Sequence, residues 1–207
     1  MTVTKITEIS KSRVQIITDE EFAFVLYKGE LRIYGLKVGE EISENTYKSI
    51  VEELLPRRAK MRAMNLLKSR PYTTKQLTDK LVTGGYPKEI ANIAISYVAS
   101  FGYLDDRQYA LDYIEYHKEN QTRKKITNTL MQKGIEKAMI EECWNDCTTE
   151  DDRDLEPEQI ILWMKKKNFS ASEATFEEKQ KFSAFLYRKG FQIDTIRRLL
   201  SLDITSI

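Results

Sequence analysis

The sequence predicts a mainly α-helical protein with three tandem three-helix, helix-turn-helix-like repeats in an elongated curved array. A small N-terminal antiparallel β-sheet plus a helix precedes them. Three observations predict this class: a β-branched, alternating N-terminal segment, helical apolar periodicity from Pro56 onward, and one internal pattern that recurs three times.

The N-terminal segment is typical of strands. Residues 3–9, 13–18, 22–27 and 31–36 alternate apolar and polar positions or are rich in β-branched side chains. Lys28–Gly29–Glu30 is a short connection suited to a hairpin between the last two. Ser43 can cap a following helix that runs to about Leu55.

The internal repeat consists of two apolar residues four apart, a glycine four residues later, and then a large apolar residue. The three sets are Leu77, Leu81, Gly85 and Tyr86; Ile126, Leu130, Gly134 and Ile135; and Phe182, Leu186, Gly190 and Phe191. Glycine at a helix end can adopt the left-handed conformation without a Cβ penalty, so each set predicts a helix, a tight turn and a second helix.

A further amphipathic helix precedes each set, at about residues 57–68, 106–118 and 158–167. Each repeat is therefore predicted to have three helices. The predicted division is an N-terminal extension at 1–55, repeats at 56–104, 105–147 and 157–207, and an acidic linker at 148–156.

Charge is unevenly distributed along the chain. Residues 56–138 carry 16 Lys or Arg against 8 Asp or Glu, whereas the segments on either side are net acidic. A basic middle predicts a surface that meets an anionic partner, either nucleic acid or an acidic protein groove. The alternative is that these side chains only solvate exposed helix faces.

The candidate partner- or DNA-binding residues are the basic side chains of the first two repeats. They are Arg57, Arg58, Lys60, Arg62, Arg70, Lys75, Lys80, Arg123, Lys124 and Lys125. The triplet 123–125 opens a predicted helix, where cations oppose the helix dipole, so an anionic partner is plausible there. The helix after Gly134 carries Glu136 and Glu141, which favours phosphate or protein contact over reading of base edges.

Catalysis is poorly supported by the sequence. His117, the single histidine, is interpreted as an ordinary helix residue, and Cys143 and Cys147 as core residues rather than zinc ligands. Gly84–Gly85 matches neither phosphate-binding glycine motif, and Asp105–Asp106 is interpreted as a helix start. We therefore expect no enzymatic activity, no cofactor and no metal.

Several motifs together resemble the RecX family. They are Arg58, Ala63 and Leu66–Leu67; Gly102–Tyr103–Leu104–Asp105–Asp106; Lys133–Gly134–Ile135; and Arg188–Lys189–Gly190–Phe191. The resemblance covers about residues 56 to 202, and its specificity lies in the order, spacing and threefold repetition of these motifs.

The resemblance implies a non-enzymatic regulator that binds in the groove of the RecA–DNA filament and is expected to inhibit RecA recombinase. It would act in homologous recombination, DNA repair and the SOS response, with the RecA filament and single- or double-stranded DNA as partners. The alternative is a stand-alone DNA-binding module acting in transcription or DNA protection.

The chain is expected to be a cytoplasmic monomer. No apolar run approaches the roughly 18–20 residues of a membrane span, and residues 1–9 lack a secretory apolar region. The two cysteines imply no disulfide framework.

Overall fold

The first part of the chain forms a three-stranded antiparallel sheet in the order β1-β2-β3. The computed structural model describes residues 1–19, 23–147 and 156–200. The strands are β1 (Val3–Glu8), β2 (Arg13–Thr18) and β3 (Ala23–Tyr27). Along β2 every second side chain is buried, and Ile16 lies opposite Phe24. Three of the four predicted strands are thereby confirmed, although Phe22 lies outside the described residues.

The fourth predicted strand and its hairpin are wrong. Residues Lys28–Ile33 form helix α1 instead. The Glu30 carboxylate accepts a hydrogen bond of 2.9 Å from the Tyr27 backbone N–H, which satisfies a donor at the start of the helix. The same carboxylate pairs with Arg58 at 2.7 Å. A local cap and a long-range ion pair thus both hold Glu30 in a segment that we had predicted to form a hairpin and a strand.

A helical segment follows without a break from residue 44 to residue 69. It comprises α2 (Glu44–Lys48), a π-helical turn (Ser49–Leu54) and α3 (Leu55–Ser69), and the Ser43 hydroxyl caps its start. The Leu55 N–H reaches back five residues to the Ile50 carbonyl. The wide turn ends where the regular helix α3 begins, and Pro56, which lacks an N–H, is the second residue of that helix. The sequence had predicted two separate helices here.

The three predicted helix triplets are confirmed. The first is α3, α4 (Thr74–Thr83) and α5 (Lys88–Ser100); the second is α6 (Asp106–His117), α7 (Arg123–Gln132) and α8 (Lys137–Cys147); the third is α9 (Glu156–Lys166), α10 (Phe176–Lys189) and α11 (Ile193–Leu200). Both apolar residues of each repeat set that precede the glycine are buried.

Each repeat turns at a left-handed glycine, as predicted. The φ angles are 97° at Gly85, 93° at Gly134 and 98° at Gly190. In each turn the residue after the glycine donates its N–H to the carbonyl five residues back, as Tyr86 does to Leu81 at 3.2 Å. The glycine itself donates to the carbonyl three residues back, which completes a Schellman motif.

The chain divides into two compact units, Met1–Asp105 and Asp106–Ile207. In the first unit, the sheet and the first repeat share one core, in which Val14, Phe24, Leu77 and Leu81 are buried together. Gly85 lies so close to the sheet that an added Cβ would stand 2.2 Å from a Val25 methyl group. The five-part division and the curved array stay predictions.

In the second unit, repeats two and three are joined by hydrogen bonds. Gln159 and Trp163 of α9 donate to the backbone carbonyls of Lys118 and Asn120 at 2.6 and 3.3 Å. The Thr122 hydroxyl donates to the Gly190 carbonyl at 3.1 Å. Across residues 1–19, 23–147 and 156–200, no helix combines the length and apolar content needed to cross a bilayer.

Candidate partner-binding site

The predicted basic residues of α3 fall into an inward and an outward group. Arg58 is directed inward: it pairs with Glu30, each side chain is only 19% exposed, and its guanidinium lies 4.3 Å from the centre of the Tyr27 ring. Arg57 and Arg62 are exposed. Arg58 thus ties α1 and β3 to α3, while its neighbours remain accessible to a partner.

The charges of three arginines of the first unit act on Tyr86. Burial raises the pKa of the Tyr86 phenol, and the nearby charges of Arg58, Arg62 and Arg13 oppose that rise. Arg13 comes from β2 and its guanidinium donates to the Gly84 carbonyl at 3.5 Å. We call Arg13, Arg58 and Arg62 the arginine cluster. Sequence analysis missed Arg13 because it lies in the acidic N-terminal segment, and only folding brings it beside the first repeat.

Two further basic residues lie over aromatic rings. The Lys60 ammonium is 4.8 Å from the centre of the Tyr97 ring, and the Arg70 guanidinium is 4.4 Å from that of Tyr72. Such contacts contribute about 0.5–1 kcal/mol at exposed sites. They orient the cations and leave the charge available to an anion.

The predicted residues of α4 are exposed. Lys75 pairs with Asp79 at 3.1 Å, four residues along the same helix, and Lys80 is exposed near the end of that helix. An exposed pair of this kind is worth about 0.3–0.5 kcal/mol. A partner can therefore displace it at little cost.

The triplet at the start of α7 is largely engaged within the second unit. Arg123 pairs with Glu141 of α8 and lies over the Trp144 ring. Lys125 donates to the Arg188 carbonyl of the third repeat. Lys124 is exposed. The Thr122 hydroxyl caps the helix by accepting the Lys125 N–H, and the Glu141 carboxylate that pairs with Arg123 supplies a negative charge at this helix start.

The two cysteines, which we interpreted as core residues, lie in surroundings that lower the reactivity of their thiols. Cys143 is buried and Cys147 half-buried, and burial raises the pKa of both thiols. A raised thiol pKa lowers the reactive thiolate fraction. No group of three His, Cys, Asp or Glu side chains among the described residues is placed to hold a metal ion.

The comparisons with known proteins point to one family. Residues 59–97 match the model of the first three-helix domain of RecX, and residues 154–200 match that of its third. A regulatory protein RecX from Caldanaerobacter subterraneus is 30% identical over 98% of this chain and 100% of its own length. The chain belongs to the RecX family.

Other RecX proteins agree in length and fold. A regulatory protein RecX from Clostridium botulinum is 27% identical over 95% of this chain and 92% of its own length. The crystal structure of a regulatory protein RecX superposes with a TM-score of 0.56, at 21% identity, over 98% of this chain and 99% of that one. RecX from Lactobacillus salivarius gives 0.54 at 23% identity, covering 72% of this chain and 98% of its own. These two structures support the RecX fold.

Proposed function

We propose that this chain modulates RecA recombinase, and inhibits it, by binding in the groove of the RecA–DNA filament. The observation that carries the proposal is the full-length similarity to proteins named as regulatory protein RecX. The role is non-enzymatic, since the relatives are regulatory proteins and the chain offers binding surfaces. In this proposal the protein is a cytoplasmic monomer that acts in homologous recombination, DNA repair and the SOS response.

Tandem helical repeats suit a filament groove physically. Each repeat can present a modest contact, and linked contacts add through high effective concentration rather than through one deep site. The exposed basic residues lie on helices of two repeats, with Arg57 and Arg62 on α3, Lys75 and Lys80 on α4, and Lys124 on α7. Such a distribution supports several weak contacts to DNA phosphates or to acidic RecA surface.

The predicted residues that are held internally have a supporting role in this proposal. Arg58 is fixed by Glu30 and Tyr27, and its charge, like those of Arg62 and Arg13, acts on Tyr86. Arginine binds phosphate and carboxylate through two parallel N–H groups, so a pre-oriented cluster favours either partner. Lys125 holds the third repeat against the second.

The decisive experiment is RecA's DNA-dependent ATP hydrolysis, titrated with substoichiometric amounts of the full chain. Suppression well below one copy per RecA supports filament binding. A charge-reversal variant at Arg57→Glu and Arg62→Glu should inhibit less while keeping its helix content, because both side chains are exposed.

The matched control reverses Lys5→Glu and Lys11→Glu, which are exposed on the N-terminal sheet region. It should inhibit as the unaltered protein does. Equal inhibition by the α3 variant would remove these arginines from the proposal. No effect at equimolar chain, together with tight DNA binding and a steep salt dependence without RecA, would favour the stand-alone DNA-binding module.

A further inference from the structure

The connection between α9 and α10 is longer than the equivalent connections of the other two repeats. It spans residues 167–175, whereas residues 70–73 join α3 to α4 and residues 118–122 join α6 to α7. A surface groove with two lobes, of about 500 and 460 Å³, lies along this longer connection. The two lobes meet at Asn168, Phe169 and Ser170, which line both of them. We call the two lobes together the repeat-three groove.

Hydrogen bonds fix the course of the connection where it leaves α9. The Asn168 N–H donates to the Lys165 carbonyl at 3.1 Å, and the Phe169 N–H donates to the Met164 carbonyl at 2.9 Å. Asn168 is left-handed, with a φ of 50°, so these bonds form a Schellman turn. The turn folds the Phe169 side chain back onto the core of the third repeat. The groove is therefore formed before a partner binds, which lowers the entropic cost of binding.

The lining of the groove is apolar in both lobes. In the first lobe the Phe169 ring is stacked on the Phe182 ring, with centres 4.2 Å apart, and the Phe182 ring lies 5.8 Å from the Phe185 ring. The second lobe is lined by Met164 and by Ile161, which is 41% exposed. Because Phe169 and Phe182 cover each other and the second lobe is aliphatic, the groove suits apolar side chains of a protein better than nucleotide bases.

The rim of the groove is rich in lysine. Lys167 and Lys181 line the first lobe, Lys165 lines the second, and all three side chains are exposed. The Lys167 ammonium lies 5.7 Å from the centre of the Phe185 ring, at the edge of the apolar lining. Within the described ranges none of the three lysines belongs to an ion pair. Their charges are therefore available to the carboxylates of a partner.

Two glutamates also line the first lobe, but they do not cancel the charge of the lysines. The Glu178 carboxylate accepts the Thr175 N–H at 2.8 Å and the Thr175 hydroxyl at 2.9 Å, so it serves the start of α10. Glu173 is exposed and is the other carboxylate among the residues that line the two lobes. With three lysines against these two glutamates, the groove favours an acidic partner.

We propose that the repeat-three groove docks an acidic segment of a partner protein, which places one large apolar side chain in each lobe. The carboxylates of the segment lie beside Lys165, Lys167 and Lys181, and its apolar side chains displace water from Phe169 and Ile161. Buried apolar anchors inside a polar rim carry most of the affinity of protein interfaces. The groove lies outside the predicted basic residues, so this docking site goes beyond the proposed function.

The test is fluorescence anisotropy of a short labelled peptide, measured with the full chain and no other protein. The peptide consists of aspartates around one phenylalanine and one isoleucine, and it should bind. A second peptide, in which serine replaces both apolar residues, should bind at least roughly tenfold more weakly, because the apolar side chains supply most of the affinity.

Two neighbouring residues of α9 give a matched pair of variants. Ile161 and Leu162 are exposed, at 41% and 55%, and of the two only Ile161 lines the groove. Ile161→Asn should weaken binding of the acidic, apolar peptide roughly fivefold, because it removes apolar surface from the second lobe. Leu162→Asn should leave binding unchanged. Both side chains are exposed enough for the fold to persist, which circular dichroism can verify.

Charge reversal tests the rim of the groove. Lys167→Glu with Lys181→Glu should weaken binding of the same peptide at least roughly tenfold at about 0.1 M salt, where close charges still interact. The control Lys88→Glu with Lys137→Glu changes the net charge equally at exposed lysines outside the groove. It should retain binding to within about twofold, because charges beyond the screening length contribute little.

Absent binding of the acidic, apolar peptide to the unaltered chain, or equal binding of the serine peptide, would overturn the proposal. Equal losses for Ile161→Asn and Leu162→Asn would also overturn it. Complete displacement of the peptide by oligo-dT would assign the groove to nucleic acid instead. Because RecA is absent, these results are independent of the ATP hydrolysis assay. A chain that binds the peptide but does not inhibit RecA would refute the proposed function and leave the docking groove in place.

Discussion

The substitution Gly190→Ala should destabilise the second unit more than an ordinary turn mutation. A side chain in the left-handed region costs about 1–2 kcal/mol, and Gly190 has a φ of 98°. Its new Cβ would stand 2.6 Å from the Thr122 hydroxyl and 3.0 Å from the Lys125 Cβ. Moving Thr122 loses a helix cap worth about 1 kcal/mol and a hydrogen bond worth about 1 kcal/mol. The sum is a loss of roughly 3–4 kcal/mol.

Urea unfolding followed by tryptophan fluorescence measures this change, since both tryptophans, Trp144 and Trp163, lie in the second unit. Asn168→Ala is the control: Asn168 is also left-handed, at φ 50°, but already has a Cβ. It should cost about 1 kcal/mol or less. In a Thr122→Gly background, Gly190→Ala should cost less than in the unaltered chain, because only the left-handed backbone and the 3.0 Å approach to the Lys125 Cβ then oppose the new side chain. Equal losses for Gly190→Ala and Asn168→Ala would refute the proposed contact.

Two other predictions concern charged groups. Glu30→Ala should lower the free energy of unfolding by about 1.5–3 kcal/mol, because its carboxylate both accepts the Tyr27 N–H and pairs with Arg58; denaturation monitored by circular dichroism checks this. In an NMR titration His117 should show a pKa below 6.5, and Lys133→Gln should raise it. The unfolded chain binds this proton more tightly, so the stability contribution is complete above pH 6.5 and declines as pH falls.

Each of these has a simple check. Glu44→Ala removes the exposed pair with Lys48 and should lower the free energy of unfolding by less than about 0.5 kcal/mol. An equally small loss for Glu30→Ala would show that the half-buried pair with Arg58 does not stabilise the fold. A His117 pKa that does not change in Lys133→Gln would show that the lysine charge does not reach the imidazole.

Much of the fold was predictable because it depends on local patterns that repeat. The Gly85, Gly134 and Gly190 turns were identified from spacing alone, since left-handed backbone strongly favours glycine. The segment 28–36 could not be identified in the same way. In its helix Glu30 pairs with Arg58 from α3, a contact between residues far apart in sequence that the local pattern does not contain.

The candidate binding residues show the same contrast between what local sequence predicts and what long-range contacts decide. Composition marked the basic residues of the first two repeats, but it could not say that Arg58 and Lys125 would turn inward. It also missed Arg13, which lies in the net acidic N-terminal segment and acts on Tyr86 together with Arg58 and Arg62 only after folding.

The sequence by itself determined the helical repeats, their glycine turns and the family to which the chain belongs, because periodicity, capping and turn residues act over a few neighbouring positions. Only the tertiary structure decided which cations face solvent, which are held by other side chains, and which predicted strand is in fact a helix. Those outcomes depend on charges and side-chain volumes brought together from distant parts of the chain. Their energies exist only once the helices and the sheet have packed.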